Sequence, residues 1–150
     1  MEEKIVIANN IEELPVLAEK VEELGDSWSW PLPFTMNINL VLEEAVSNII
    51  FYAFSDEGKH NIDITFTMQN DLVTIVIGDD GVYFDPTTRE SPNLSLSAEE
   101  RPVGGLGIFL ILKSMDSVIY KRNDNKNILT LIKKVSYEYI NRTDNCRELN

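Results

Sequence analysis

Two predicted β-hairpins constrain the fold more than any other feature of the sequence. Apolar and polar residues alternate over 62–68, which predicts a half-buried strand. A turn at 70–71 and an apolar segment at 72–77 complete a hairpin, whose return strand is expected at the centre of a sheet. Residues 118–120 and 128–133 predict a second hairpin around an Asn- and Asp-rich turn.

Other segments repeat apolar residues at helical spacing. Hairpins and helices in separate runs predict an α+β fold of two layers, a mixed, antiparallel-rich sheet with helices on one face. At 150 residues the chain is expected to be a single domain, 1–150, with a flexible tail over 135–150. The remaining predicted elements are an edge strand at 4–8, a helix from an N-cap at Asn10 to a stop at Gly25, a loop at 26–34, and helices at 35–54 and 105–115.

The charge and composition exclude several classes of function. A net charge of −12 opposes non-specific binding to nucleic acid or to an anionic membrane. Apolar runs all fall short of the roughly 20 residues that span a bilayer, and the N-terminus lacks a secretory signal. The single cysteine, Cys146, fits a reducing compartment. We therefore expect a cytoplasmic protein that binds neither nucleic acid nor membrane.

Three glycines, Gly104, Gly105 and Gly107, stand at the predicted start of the third helix. Glycine costs a helix roughly 1 kcal/mol relative to alanine, so a cluster there needs a reason. Helix N-terminal N–H groups bind anions, and glycines allow a phosphate to approach them. The alternative is a plain loop that enters a helix. Two further glycines, Gly78 and Gly81, form a second cluster, which suggests two loops of one site.

The second predicted helix carries Glu44 and Asn48 four residues apart, so both side chains lie on one face. Asn48 stands between apolar residues, where a partly buried amide needs a hydrogen-bond or metal partner. One interpretation is a functional carboxylate–amide pair. The other is a solvated glutamate beside a core asparagine that bonds to the backbone.

The first hairpin ends in Gly78-Asp79-Asp80-Gly81. An aspartate directly after a buried strand, followed two residues later by glycine, can direct a carboxylate into a cleft. An ordinary Asp-Gly turn is the alternative interpretation. Neither this loop nor the helix decides the function when it is taken alone.

The Glu-x-x-x-Asn helix, the Asp-x-Gly loop and the Gly-Gly-Leu-Gly helix entry resemble, in this order, the three ATP-binding boxes of the GHKL (Bergerat-fold) ATPase superfamily. Within it, the chain is most similar to the small stand-alone anti-sigma serine/threonine kinases, which control bacterial sigma factors. The likeness covers nearly the whole chain, including residues 14–19 and 127–133. It implies the Bergerat ATP-binding fold.

The resemblance implies a site for ATP and Mg²⁺. Asn48 would hold Mg²⁺ at the ATP phosphates, and Glu44 would be the general base that takes the proton from an attacking hydroxyl. Asp79 would accept a hydrogen bond from the adenine amino group, with Gly81 letting the base pack close. The remaining nucleotide-binding positions that it implies are Gly104, Gly105, Leu106, Gly107 and Thr130.

The sequence departs from the family pattern at a few positions. Tyr83 stands where a second glycine is usual, and Tyr52 and Phe54 replace the common His and Tyr after the first box. Residues 85–102 suit a lid between the glycine clusters. Its arginines, Arg89 and Arg101, are either phosphate contacts or solvated charges.

The function that the resemblance implies is that of an anti-sigma-type partner-switching kinase. Its partners would be a STAS-type anti-sigma-antagonist, which it phosphorylates, and a sigma factor, with homodimerisation possible. One alternative is a non-catalytic ATP-binding module that sequesters a protein. Another is the ATP-binding domain of a histidine kinase, which is disfavoured because the only histidine, His60, lies in a polar turn.

Overall fold

The computed structural model describes residues 1–88 and 105–137. They form a five-stranded sheet of order β1-β2-β3-β5-β4, in which all four strand pairings are antiparallel. The predicted α+β class is confirmed, and β3 is central as expected. The elements are β1 (Glu2–Ala8), α1 (Leu14–Ser27), α2 (Leu32–Tyr52), β2 (Asn61–Gln69), β3 (Leu72–Asp79), α3 (Gly105–Ser114), β4 (Ser117–Asn123) and β5 (Lys126–Lys134), with 3₁₀ turns at Ile11–Glu13 and Pro86–Thr88.

One face of the sheet is buried and the other is open. Along β2 the residues Ile62, Ile64 and Phe66 are fully buried, as are Ile75 and Ile77 of β3, because alternate side chains of a strand point to one face. The helices cover this face, and α2 packs between α1 and α3. The site described below lies between this helical layer and the sheet.

Two short turns set the strand register. Asp124 and Asn125 both have positive φ, 51° and 61°, and join β4 to β5 as a two-residue turn. The Asn- and Asp-rich turn predicted between 118–120 and 128–133 is shorter than expected, because this tight turn lets pairing continue to Asn123 and Lys126. Asn70 also has a positive φ, 55°, at the turn between β2 and β3.

The predicted stop at Gly25 is wrong. Helix α1 continues to Ser27, and Gly25 is buried inside it. A Cβ at this position would overlap the Thr35 hydroxyl and lie 3.0 Å from Thr35 Cγ2. Glycine is therefore present because α1 and α2 approach each other closely here, not because a helix ends.

Helix α2 begins earlier than predicted, at Leu32, which shortens the predicted 26–34 loop. Prolines at the first turn do not interrupt a helix, since the N–H groups there have no intrahelical partner. Trp28, Trp30 and Phe34 fill the corner, with Trp30 in edge-on contact with Trp28 at 5.8 Å and with Phe34 at 5.1 Å. All three aromatic side chains are buried.

The predicted tail begins within the core. Val135 is buried, and its N–H donates a 2.7 Å hydrogen bond to the carbonyl of Asp71. Residues 138–150, and the lid arginines Arg89 and Arg101, lie outside the described residues. Over 1–88 and 105–137, the helices are all too short or too polar to cross a membrane.

Candidate functional site

A narrow cavity lies where α2 and α3 meet the sheet at the ends of β3 and β5. Its polar lining consists of Asn48, Asp79, Tyr120 and Asn127, and most of its other lining residues are apolar, such as Ile108 of α3. The walls therefore offer an apolar slot with a few convergent polar groups, which is the usual character of a small-molecule site.

Asp79 is the buried acid of this cavity, with 4% of its surface exposed. Strand alternation places it on the same face of β3 as Ile75 and Ile77, so its carboxylate points under the helices. Its Oδ1 accepts hydrogen bonds from the Gly81 N–H at 2.9 Å and from Asn127 Nδ2 at 3.0 Å. Both bonds from the described residues fall on Oδ1, which leaves Oδ2 as the acceptor for a ligand.

Burial raises the pKa of Asp79 above its ordinary value, since a charged carboxylate loses its hydration there. The hydrogen bonds from Asn127 and Gly81 act in the opposite direction, because they stabilise the charged form. Burial thus disfavours the charged form of Asp79, and hydrogen bonds from neighbouring donors stabilise it.

Asn127 is the residue of this site that the sequence did not reveal. It lies directly opposite Asp79 in the β3–β5 pairing. Its Oδ1 accepts bonds from the Tyr120 hydroxyl and from Arg122 Nη1, and its Nδ2 also donates to the Val82 carbonyl at 2.8 Å. Asn127 therefore ties the central strands to the loop after β3.

The first box brings Glu44 against the start of α3. A Cβ on Gly107 would overlap Glu44 Oε2 and lie 3.2 Å from Glu44 Cδ, so only glycine leaves room for the carboxylate. Glu44 is partly buried and stands one helical turn from Asn48, which lines the cavity. The structure thus brings together the predicted Glu44, Asn48 and Gly107.

Asn48 is 7% exposed, and its amide nitrogen has no hydrogen-bond partner among the described residues. This nitrogen is a hydrogen-bond donor, so it can donate to an acceptor of a bound ligand such as a phosphate oxygen, whereas a metal ion would be held by the side-chain oxygen. The described residues contain no group of three His, Cys, Asp or Glu side chains able to hold a metal ion. Mg²⁺ at phosphates needs only one or two protein oxygens, so Asn48 fits as a single protein ligand.

Two predicted residues have surroundings different from those expected. Thr130 lies opposite Val76, on the open face of the sheet, because it alternates with the cavity residue Leu129. The structure therefore does not bring Thr130 to the cavity, and Asn127 is the polar residue that β5 contributes. At Gly81 a Cβ would lie 2.7 Å from the Ala53 Cβ, so the close approach is to the end of α2.

The glycine cluster is only partly described. Gly105, Leu106 and Gly107 form the first turn of α3, so their N–H groups belong to a helix N-terminus. Gly104 lies outside the described residues. Two residues that depart from the family pattern do not line the cavity. Phe54 stacks on His60 at 4.4 Å, and Tyr83 packs edge-on against Tyr120.

Comparisons with known proteins place this chain among ATPase domains. A family model described as the histidine kinase-like ATPase domain matches residues 7–133, and the chain belongs to this family. The resemblance found in the three boxes is thereby confirmed.

Two curated relatives are protein kinases by name. Serine/threonine-protein kinase BtrW of Bordetella bronchiseptica is 36% identical over 108 residues, which cover 72% of this chain and 75% of that protein. Serine-protein kinase RsbW of Listeria monocytogenes is 30% identical over 86 residues, or 55% of each chain. The match thus spans about half the length of the Listeria relative.

A solved structure supports the fold independently. The histidine kinase domain from the Erythrobacter litoralis EL346 blue-light activated histidine kinase superposes with a TM-score of 0.52 at 13% identity. The superposition covers 83% of this chain and 60% of that one.

Proposed function

We propose that the chain is an ATP- and Mg²⁺-dependent serine/threonine protein kinase that acts in the cytoplasm as an anti-sigma-type partner-switching regulator. Its substrate is a STAS-type anti-sigma-antagonist, and it also binds a partner protein such as a sigma factor. The observation that carries this proposal is the packing of the Glu44 carboxylate against Gly107 at the start of α3, one turn from Asn48. The protein kinases named above support the same class of reaction.

The lining of the cavity suits the base of ATP, and its free volume of about 20 Å³ requires the walls to move apart when the ring enters. Asp79 Oδ2, which receives no hydrogen bond from the described residues, would accept one from the adenine amino group, while Asn127 and Gly81 hold Oδ1 in place. The apolar walls, including Ile108 and Leu129, suit the faces of a planar ring. In this proposal Asp79 selects adenine, because its carboxylate accepts hydrogen bonds and cannot donate one when ionised.

The phosphates lie toward the N-terminus of α3. The first N–H groups of this helix have no intrahelical partner, and two of its first three residues are glycines without a side chain. Asn48 would hold Mg²⁺ through its side-chain oxygen, and bound Mg²⁺ neutralises charge on the transferring phosphoryl group.

Glu44 is the proposed general base. The hydroxyl oxygen of the substrate serine or threonine attacks the γ-phosphorus, and its proton passes to the Glu44 carboxylate. The bond between the γ-phosphorus and the bridging oxygen to the β-phosphate breaks, which releases ADP. Glu44 lies beside the N-terminus of α3, and this position supports its assignment as the base, since the phosphates are proposed to bind there.

Phosphotransfer tests this assignment. Each STAS-type protein of the source organism is purified and incubated with the chain, Mg²⁺ and radiolabelled ATP. We expect Glu44→Gln to retain ATP binding and to lose phosphotransfer by about 10²-fold or more. Glu57→Gln, an exposed glutamate in the turn after α2, is the matched control and should remain active.

A different outcome would assign a different function. ATP binding without transfer to any of these proteins indicates the non-catalytic alternative, an ATP-binding module that sequesters its partner. Equal transfer by the Glu44→Gln variant and the wild type removes Glu44 from the mechanism.

A further inference from the structure

The outer surface of the helical layer carries apolar groups beside Glu44. A groove of about 300 Å³ runs between the first turn of α1 and the middle of α2. Leu14 and Ala18 line it from α1, and Asn39 and Glu43 line it from α2. Met36 and Leu40, which are 63% and 43% exposed, stand beside this lining on α2. We call the groove together with Met36 and Leu40 the outer helical face.

The outer helical face continues directly to the proposed base. Met36, Leu40 and Glu44 are spaced by four residues, so they are successive neighbours along one row of the helix surface. Asn39 and Glu43 form the adjacent row at the edge of the groove. A protein seated on Leu40 therefore lies one helical turn from Glu44.

The charge of this layer indicates what kind of surface would bind it. Residues 14–52 contain six acidic side chains and one basic side chain, Lys20, which pairs with Glu3 at 3.1 Å. Exposed apolar side chains within an acidic surface are complementary to an apolar patch bordered by lysine or arginine. A second copy of this acidic chain would bring like charges together at the same place.

We propose that the outer helical face is the docking surface for the phosphoacceptor protein, which presents an apolar patch with a basic border next to its acceptor hydroxyl. This inference rests on the proposed kinase function and adds the surface that delivers the substrate to Glu44. In this proposal two different surfaces bind the two substrates: Met36 and Leu40 contact the substrate protein, and the cavity binds ATP.

The test compares two double variants of matched character. Met36→Gln/Leu40→Gln changes the outer helical face, whereas Val6→Gln/Ile119→Gln removes equally exposed apolar groups, 58% and 50%, from the open face of the sheet. The probes are ATP and each purified STAS-type protein of the panel described above. The readouts are binding by calorimetry, phosphotransfer kinetics and the oligomeric state by sedimentation.

We expect Met36→Gln/Leu40→Gln to weaken STAS-protein binding and to raise its KM about tenfold, with kcat and ATP affinity unchanged. The sheet variant should match the wild type. STAS-protein binding to the wild type should weaken as salt is raised, since the proposed interface pairs opposite charges.

The other outcomes overturn the proposal. If Met36→Gln/Leu40→Gln binds the STAS-type protein as the wild type does, the outer helical face is not the docking surface. If this variant loses a dimer while its STAS-protein binding stays normal, the face binds a second copy of the chain instead. If the wild type binds a STAS-type protein without phosphorylating it, the kinase function fails while the binding comparison still decides the docking surface. If the wild type binds none of the purified STAS-type proteins, both the docking proposal and the proposed class of partner are rejected.

Discussion

Asp79 of β3 and Asn127 of β5 face each other across the central strand pair, and Asn127 Nδ2 donates a 3.0 Å hydrogen bond to Asp79 Oδ1. The strand register thus positions the proposed adenine-binding carboxylate. Asn127 also accepts bonds from Tyr120 and Arg122, so one side chain holds several polar groups in the same small region.

Replacement of Asn127 should therefore affect both stability and ligand binding. In Asn127→Ala, the buried Asp79 carboxylate and the partly buried Tyr120 hydroxyl lose a partner, and we expect the free energy of unfolding to fall by about 1–3 kcal/mol. Nucleotide affinity should also fall, because Asp79 loses a donor that orients it. Denaturant unfolding and calorimetry measure the two effects, with exposed Asn123→Ala as the control. Normal affinity in Asn127→Ala would contradict the positioning role.

Asp79→Asn should separate binding from stability. Because burial raises the pKa of Asp79, ionisation of this group in the native state costs stability, and this cost appears as pH rises through its folded pKa. The amide carries no charge, so unfolding at pH 7 should require no less free energy than in the wild type. ATP binding should be lost, since an acceptor is replaced by a donor. Exposed Asp63→Asn should leave ATP binding unchanged.

Gly107→Ala should slow phosphotransfer by displacing a carboxylate. The new methyl group would occupy the position of Glu44 Oε2, and the flexible glutamate side chain would move away. We expect at least a tenfold loss of transfer rate, within the range that general bases contribute. In the background of Glu44→Gln the same change should have much less effect, because the two substitutions act on one contact. Additive effects in this cycle would count against the contact.

The two glycines near the end of β3 should differ sharply in tolerance. A Cβ at Gly81 would press against the backbone of Ala53, and we expect Gly81→Ala to cost about 1–3 kcal/mol of stability. In the described part of the chain no atom lies within 4 Å of a Cβ built on Gly78, so Gly78→Ala should be neutral or slightly stabilising. Thermal and denaturant unfolding of the pair provides the comparison. Equal stabilities would mean that Gly81 and Ala53 are not packed as described.

His60 should titrate above its ordinary range. Its Nε2 lies 2.7 Å from Asp56 Oδ1 and its Nδ1 lies 3.2 Å from Asp80 Oδ1, and the hydrogen bond with Asp56 is the main cause of its raised pKa. Stability from the protonated ring is then fully present below about pH 6.5, the unfolded value, and is lost as pH rises through the folded pKa.

Since the chain has one histidine, a proton NMR titration measures this group directly. The midpoint should lie above 6.5 in the wild type and should fall in Asp56→Asn. It should fall less in Asp80→Asn, because the contact with Asp80 is longer. A wild-type midpoint at or below 6.5 would show that the ring does not bridge the two carboxylates.

The elements that the sequence predicted well are those with a local cause. The alternation over Ile62, Ile64 and Phe66 reflects the two-residue repeat of a strand, which needs no information about distant residues. The four-residue spacing of Glu44 and Asn48 fixes their common face in the same way. Both features are therefore present in the structure as predicted.

The features that the sequence did not predict depend on distant pairs. Gly25 looks like a helix stop, because a C-terminal glycine and a glycine at a helix crossing have the same sequence signature; only the position of Thr35 distinguishes them. Asn127 joins the site through its register with Asp79, 48 residues away. Thr130 fails to reach the cavity for the same reason, since the register of β5 decides which residues face the helices.

The burial of both tryptophans between α1 and α2 has a consequence for the fluorescence of the protein. Both tryptophans of the chain are buried there with Phe34, and neither lines the cavity. Intrinsic tryptophan emission should therefore report the integrity of the helical layer and stay nearly constant when a nucleotide enters the cavity, whose own aromatic side chains are Phe84 and Tyr120. A tryptophan introduced at exposed Tyr83, next to Tyr120, would give the cavity a fluorophore of its own.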